Sequence, residues 1–80
     1  MESIEKKVGA VLRKVSGAEN VETSRALVDD LGLSSLKMVD LLLGLEDALG
    51  ITLKQSDMNF FKLKTVGDLV ALAEKYVQPG

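Results

Sequence analysis

The side chains able to do chemistry are few in kind. The 80 residues include no His and no Cys. An imidazole base and a thiolate nucleophile are therefore missing, and with them the Ser–His and Cys–His pairs that most nucleophilic enzymes use. The same two absences remove the main ligands of zinc and iron–sulfur centres, so no metal is expected. Carboxylates, lysines, hydroxyls and one tyrosine remain. Among the hydroxyls, Ser34 and Ser35 stand apart: they follow a long polar stretch and directly precede Leu36 and a leucine-rich run. On the local sequence alone a serine pair in front of a helix reads as its cap. A chain this short has little room to wall a pocket around its carboxylates. The expectation is a protein that is not an enzyme.

Composition narrows the partners. Ten Lys and Arg stand against twelve Asp and Glu, a formal charge of −2. No long-range field draws a phosphate backbone, so no nucleic acid is expected. Runs such as Leu41-Leu42-Leu43 are far too short to span a bilayer. The N-terminus, Met1-Glu2-Ser3-Ile4-Glu5-Lys6-Lys7, has no apolar signal segment. These readings predict no membrane association and a cytoplasmic monomer. Residues 1–80 read as one domain, and the Met1 start and lack of a Pro-rich linker favour a stand-alone protein.

The elements that must position Ser35 follow from spacing. Ile4, Val8, Val11, Leu12 and Val15 recur at helical intervals, predicting a helix from about Ser3 to Val15 that stops at Gly17. A long Gly-, Asn-, Ser- and Asp-rich connection then runs from about Ser16 to Leu33, with Ala26, Leu27 and Val28 forming a turn that plugs the core. The second helix runs from Ser34 or Ser35 to Leu49 and ends at Gly50, with Ser34 as a cap. Met38, Leu41, Leu42, Leu45 and Leu49 share its core face. Leu36, Asp40, Leu43 and Asp47 share another, so the helix is apolar on two sides. A helix that buries one side does not need this. Ile51-Thr52-Leu53 reads as an extended connector. Ser56 is placed to cap a brief helix through Asp57, Met58, Phe60 and Phe61, whose apolar members belong to the core or its rim. Thr65-Val66-Gly67-Asp68 resembles a capping box with Asp for the usual Glu, opening a last helix to about Val77. The predicted fold is all-α, an irregular four-helix bundle of three main helices and one short one.

The segment Asp30-Leu31-Gly32-Leu33-Ser34-Ser35-Leu36 resembles the phosphopantetheine attachment motif of acyl and peptidyl carrier proteins, in which Gly, any residue, Asp, Ser, then Leu or Ile stand in a row. Gly32, Ser35 and Leu36 match. Ser34 departs, since the family usually has Asp there. Leu42 through Ile51 look like the family's second helix and its exit, and Thr65-Val66-Gly67-Asp68-Leu69 looks like the start of its last helix. The resemblance implies a small acyl-carrier-like bundle and 4′-phosphopantetheine bound covalently to Ser35. It implies partners too: a phosphopantetheinyl transferase, an acyl- or aminoacyl-loading enzyme and downstream synthase enzymes. The chain would hold intermediates as thioesters and supply no catalytic group. In the family the motif Asp helps the transferase engage the serine, so Ser34 bears on how the chain is modified.

The resemblance also makes the second helix the docking face, with Leu36, Lys37, Val39, Asp40, Leu43 and Asp47 as partner-binding positions. Fatty-acid-synthase carriers resemble one another in a strongly acidic second helix. Here that helix opens with Lys37 and is rich in Leu, Met and Val. A specialised polyketide, nonribosomal peptide or related acyl pathway is therefore expected over housekeeping fatty acid biosynthesis. The alternative from another class is a cofactor-free helical interaction module that binds a partner through the same Leu36 and Leu43 face.

Overall fold

The structure, a computed structural model, describes residues 3–58 and 62–77. Helix α1 spans Ile4–Ser16, α2 spans Ser35–Leu49 and α3 spans Val66–Val77, with a one-turn 3-10 helix at Gln55–Met58. This is the all-α bundle that the spacing predicts. Each end of α1 is closed by its own residues. The Ser3 hydroxyl accepts from the Lys6 amide at 3.2 Å, and the Gly17 amide donates to the Arg13 carbonyl at 2.8 Å. Glu5 in the first turn and Arg13 and Lys14 in the last complement the helix dipole. Helix α2 is capped by Ser34 and stops at Gly50, whose amide returns to the Glu46 carbonyl.

The core is apolar among the described residues. Val8 and Leu12 from α1 meet Met38, Leu41, Leu42 and Leu45 from α2 and Val66, Leu69, Val70 and Ala73 from α3. Each fully buried aliphatic side chain contributes about 1.5–3 kcal/mol against chain entropy. Ile4, Val11, Val15 and Leu49, expected on core stripes, flank the core half-buried. Helices α1 and α2 approach closely at Gly44. A Cβ added there would stand 2.9 Å from Val11 Cγ1, so this glycine permits the crossing.

The long connection is held by backbone pairing, not by burial alone. Thr23 and Arg25 carbonyls accept from the Gly67 and Val66 amides, each at 2.9 Å, and the Leu27 amide donates to the Lys64 carbonyl at 2.8 Å. Ala26 and Thr65 thus form an isolated antiparallel bridge. The connection is a strap across the start of α3. Leu27 is fully buried and plugs the core as expected. Val28 does not: it is 58% exposed. The correction has a simple cause. In a turn successive side chains diverge, and Leu27 takes the inward position, which sends Val28 outward.

The segment between α2 and α3 is tied at three points. The Leu53 amide donates to the Glu46 carboxylate at 2.8 Å, and the Lys54 amide donates to the Tyr76 hydroxyl at 2.9 Å. That hydroxyl in turn donates to the Asp57 carboxylate. Residues 51–54 lie outside any helix or strand, and Ser56 lies inside the 3-10 turn and does not cap it. The turn begins earlier, at the Asp57 amide to Lys54 carbonyl bond of 2.9 Å. The expectation that Met58, Phe60 and Phe61 pack in or beside the core falls on side chains outside those described.

The capping box at α3 forms as read. The Asp68 amide donates to Thr65 Oγ1 at 3.2 Å, while Asp68 Oδ2 accepts from the Lys64 and Thr65 amides at 3.0 and 3.1 Å. Those two amides hold the Asp68 carboxyl below its ordinary 3.8. The Tyr76 hydroxyl, helped by the Lys75 ammonium 3.4 Å away, holds Asp57 below the same value. The bond to Asp57 pushes Tyr76 above 10.0.

Two outcomes are expected. Both carboxyls have folded pKa values below their unfolded ones. Their contribution is therefore complete above the ordinary carboxylate range and is lost as pH falls through the lowered values. Tyr76 runs the other way: its contribution holds below its ordinary pKa and fades as pH rises past the raised one. Urea midpoints should drop between about pH 5 and pH 3, and Asp68→Asn should make that drop shallower. At the helix crossing, Gly44→Ala should destabilise the native chain by about 1 kcal/mol through overpacking. In a Val11→Ala background the clash is gone, and the same change should stabilise by up to about 1 kcal/mol through better helix propensity.

Candidate functional site: an exposed serine at the head of the second helix

Ser35 is the first residue of α2 and is exposed. Its placement is set by the residue before it. Ser34 takes an extended conformation (φ −79°, ψ 173°) and its hydroxyl accepts from the Lys37 amide at 3.3 Å, while its carbonyl accepts from the Met38 amide at 2.9 Å. The two serines therefore divide the work expected of them: Ser34 caps and Ser35 is presented. The Ser35 and Leu36 amides have no acceptor one helical turn back, since a helix leaves its first amides open. No acidic residue lies in the first turn of α2. The positive end of this helix is therefore not neutralised from within, and Lys37 adds a cation beside it.

Upstream, the chain reaches Ser34 through a tight turn. The Gly32 amide donates to the Val28 carbonyl at 3.0 Å, and the Leu33 amide to the Leu27 carbonyl at 3.1 Å. Gly32 has a φ of 68°, a left-handed conformation that side chains with a Cβ avoid. Leu33 is 3% exposed and anchors the end of the turn in the core. The sequence pattern marked Gly32 and Ser35. It gave no sign that Asp30 holds the turn: Asp30 Oδ2 accepts from the Ala26 amide at 2.7 Å.

The six expected docking residues lie on one element. Leu36, Lys37, Val39, Asp40, Leu43 and Asp47 are all exposed on α2. Leu36 at 79%, Leu43 at 51% and Val39 at 40%, with Val28 of the turn, are the large apolar side chains most open to solvent among the described residues. The two-sided apolar character of α2 thus reflects one buried face and one uncovered face. The helix's remaining carboxylate, Glu46, is turned inward to Leu53. Grooves of about 460 Å³ between α1 and Glu19–Glu22, and about 350 Å³ beside α3, lie elsewhere, and Ser35 lines neither. The site is a protruding hydroxyl and not a pocket.

The geometry fits a phosphopantetheine arm. A phosphodiester on Ser35 would bring its anion to the open Ser35 and Leu36 amides and the uncompensated helix dipole, an arrangement worth about 0.3–1 kcal/mol at an exposed position. When attached, the arm supplies a terminal thiol, which this chain lacks. The protein's own residues hold the attachment point and exclude nothing. Among the described residues no cluster of acidic side chains is placed to hold a metal, and no helix is long and apolar enough to cross a membrane.

Comparison with known proteins agrees. The profile of the family described as phosphopantetheine attachment site matches residues 6–73. An acyl carrier protein of Rhodococcus erythropolis is 36% identical over 81 residues, covering 99% of this chain and 87% of the relative. One from Thermotoga maritima is 34% identical over 76 residues, covering 92% and 91%. A meromycolate extension acyl carrier protein of Mycobacterium tuberculosis is 34% identical over 70 residues, and the match spans 85% of this chain and 59% of that protein. A solved structure of a Mycobacterium tuberculosis protein assigned as an acyl carrier protein superposes with a TM-score of 0.81 at 30% identity, covering 91% and 97%. With the family matched along most of its length and the fold shared, the chain belongs to the phosphopantetheine-bearing acyl carrier proteins, which carry a covalent 4′-phosphopantetheine and are not themselves catalysts.

Proposed function

We propose that Ser35 is the serine that bears the arm, and that the chain delivers acyl or aminoacyl groups, held as thioesters on that arm, to partner enzymes in the cytoplasm. The observation that carries this reading is an exposed hydroxyl at the first position of α2, capped by Ser34 and free of first-turn acid. In the loading step the Ser35 oxygen forms a bond to the phosphorus of coenzyme A's pantetheine phosphate. The pyrophosphate bridge breaks, adenosine 3′,5′-bisphosphate leaves, and the hydroxyl proton passes to the transferase or solvent.

The partners of this reading are a phosphopantetheinyl transferase, a loading enzyme and downstream synthase enzymes, met one at a time by a monomer. Leu36, Lys37, Val39, Asp40, Leu43 and Asp47 form the docking face. Its apolar surface and sparse acid favour a specialised acyl pathway. The similarity to carriers named for meromycolate extension supports the same reading.

The test is intact mass after incubation with coenzyme A, magnesium and a broad-specificity phosphopantetheinyl transferase. The native chain should gain one phosphopantetheine and Ser35→Ala none. Ser34→Ala should still load, while losing about 1 kcal/mol of stability with its cap. A gain that persists in Ser35→Ala would move the attachment elsewhere. No gain by the folded native chain, beside a control carrier that loads, would favour the cofactor-free interaction module.

A further inference from the structure

Resting on Ser35 as the attachment serine, we infer that Asp30 is a positioning residue: its carboxylate staples the turn that aims Ser35 at the modifying enzyme. Ala26 and Asp30 exchange two hydrogen bonds. The Ala26 amide donates to Asp30 Oδ2 at 2.7 Å, and the Asp30 amide donates to the Ala26 carbonyl at 3.1 Å. The Leu31 amide reaches the same carbonyl at 3.1 Å.

The reason a side chain is needed lies in the strap. The Arg25 carbonyl and the Leu27 amide bond to the Val66 amide and the Lys64 carbonyl at the start of α3. The Ala26 amide between them finds no backbone carbonyl among the described residues. Asp30 supplies the acceptor. The turn is then closed on both edges, by α3's start on one and by Asp30 on the other.

The link to Ser35 is short and rigid. Leu27 and Leu33, at the two ends of the turn, are both anchored in the core. The Leu33 amide bonds back to the Leu27 carbonyl, and Ser34 and Ser35 follow directly. Asp30 itself is exposed and fills no core space. Its removal takes little from packing but leaves the Ala26 amide without its acceptor and lets residues 28–32 relax. The displacement then falls on Ser34, the cap, and on the Ser35 oxygen. A shift of about 1 Å in a reacting atom can slow a reaction by about a hundredfold.

The experiment measures phosphopantetheine transfer from coenzyme A for the native chain, Asp30→Ala, Asp30→Asn and Asp29→Ala. Amide hydrogen exchange is followed on the unmodified proteins. An Asn oxygen can still accept from the Ala26 amide without charge, and Asp29→Ala removes a neighbouring charge while leaving the staple. Asp30→Ala should lower kcat by about tenfold or more with KM changed much less, and should speed exchange at Lys37 and Met38 in the first turn of α2. Asp30→Asn and Asp29→Ala should stay within about twofold of the native rate.

An Asp30→Asn variant as slow as Asp30→Ala would mean that the charge contacts the transferase, and would overturn the positioning role. Native kinetics in a folded Asp30→Ala would overturn it as well. Should the alanine variant fail to fold, a folded Asp30→Asn more than about tenfold slower than the native chain overturns the positioning role in its place. If the native chain takes no arm, the attachment reading fails. The exchange data then judge Asp30 alone: unchanged protection at Lys37 and Met38 in Asp30→Ala overturns the coupling.

Discussion

The arrangement of the molecule depends on one backbone interaction, the pairing of Thr23–Leu27 with Lys64–Gly67. A connection as long as Gly17–Ser34 carries many amides and carbonyls, and those near the core must find partners. The strap finds them at the start of α3, where a helix leaves its first amides open. The Val66 and Gly67 amides, which α3 cannot satisfy internally, close on the Arg25 and Thr23 carbonyls. Each element solves the other's problem. The connection is ordered without a strand partner of its own, and α3 receives a cap beyond the one provided by Thr65 and Asp68.

The strap also delivers the head of α2. It hands the chain to the Leu27–Leu33 turn, and the turn hands it to Ser34. Because Leu27 and Leu33 are both core residues, the head of α2 is located by burial while the residue that follows its cap is exposed. A carrier needs this combination. An attachment oxygen on Ser35, as proposed, would be available to several different enzymes in turn and still start from a defined place. An enclosed pocket would obstruct that exchange, and a free loop would not define the place.

Helix α2 serves two demands that pull against each other. Its buried face, from Met38 to Leu45, joins the other helices through aliphatic contacts and the close approach at Gly44. Its outer face leaves Leu36, Val39 and Leu43 in water, a cost that folding alone does not explain. Only Asp40 and Asp47 give that face negative charge, since Glu46 is spent on the connector. Lys37 offsets part of it. The exposed face thus offers apolar contact first and charge second.

Much of this was legible in residue order. Helix limits follow from local chemistry that acts within a few residues: Ser3, Ser34 and Thr65 as caps, Gly17 and Gly50 as stops, and a 3.6-residue apolar period between them. Those interactions have no long-range component, so the chain states them directly, and the family motif placed Ser35 among them. Tertiary structure decided what depends on residues distant in sequence. The pairing of Ala26 with Thr65 chose Leu27 over Val28 for the core. The approach of α1 showed why position 44 has no side chain, and the strap left the Ala26 amide facing Asp30. Such outcomes depend on which backbone group is still unsatisfied once the helices have packed. A one-dimensional pattern of polar and apolar residues does not carry that information.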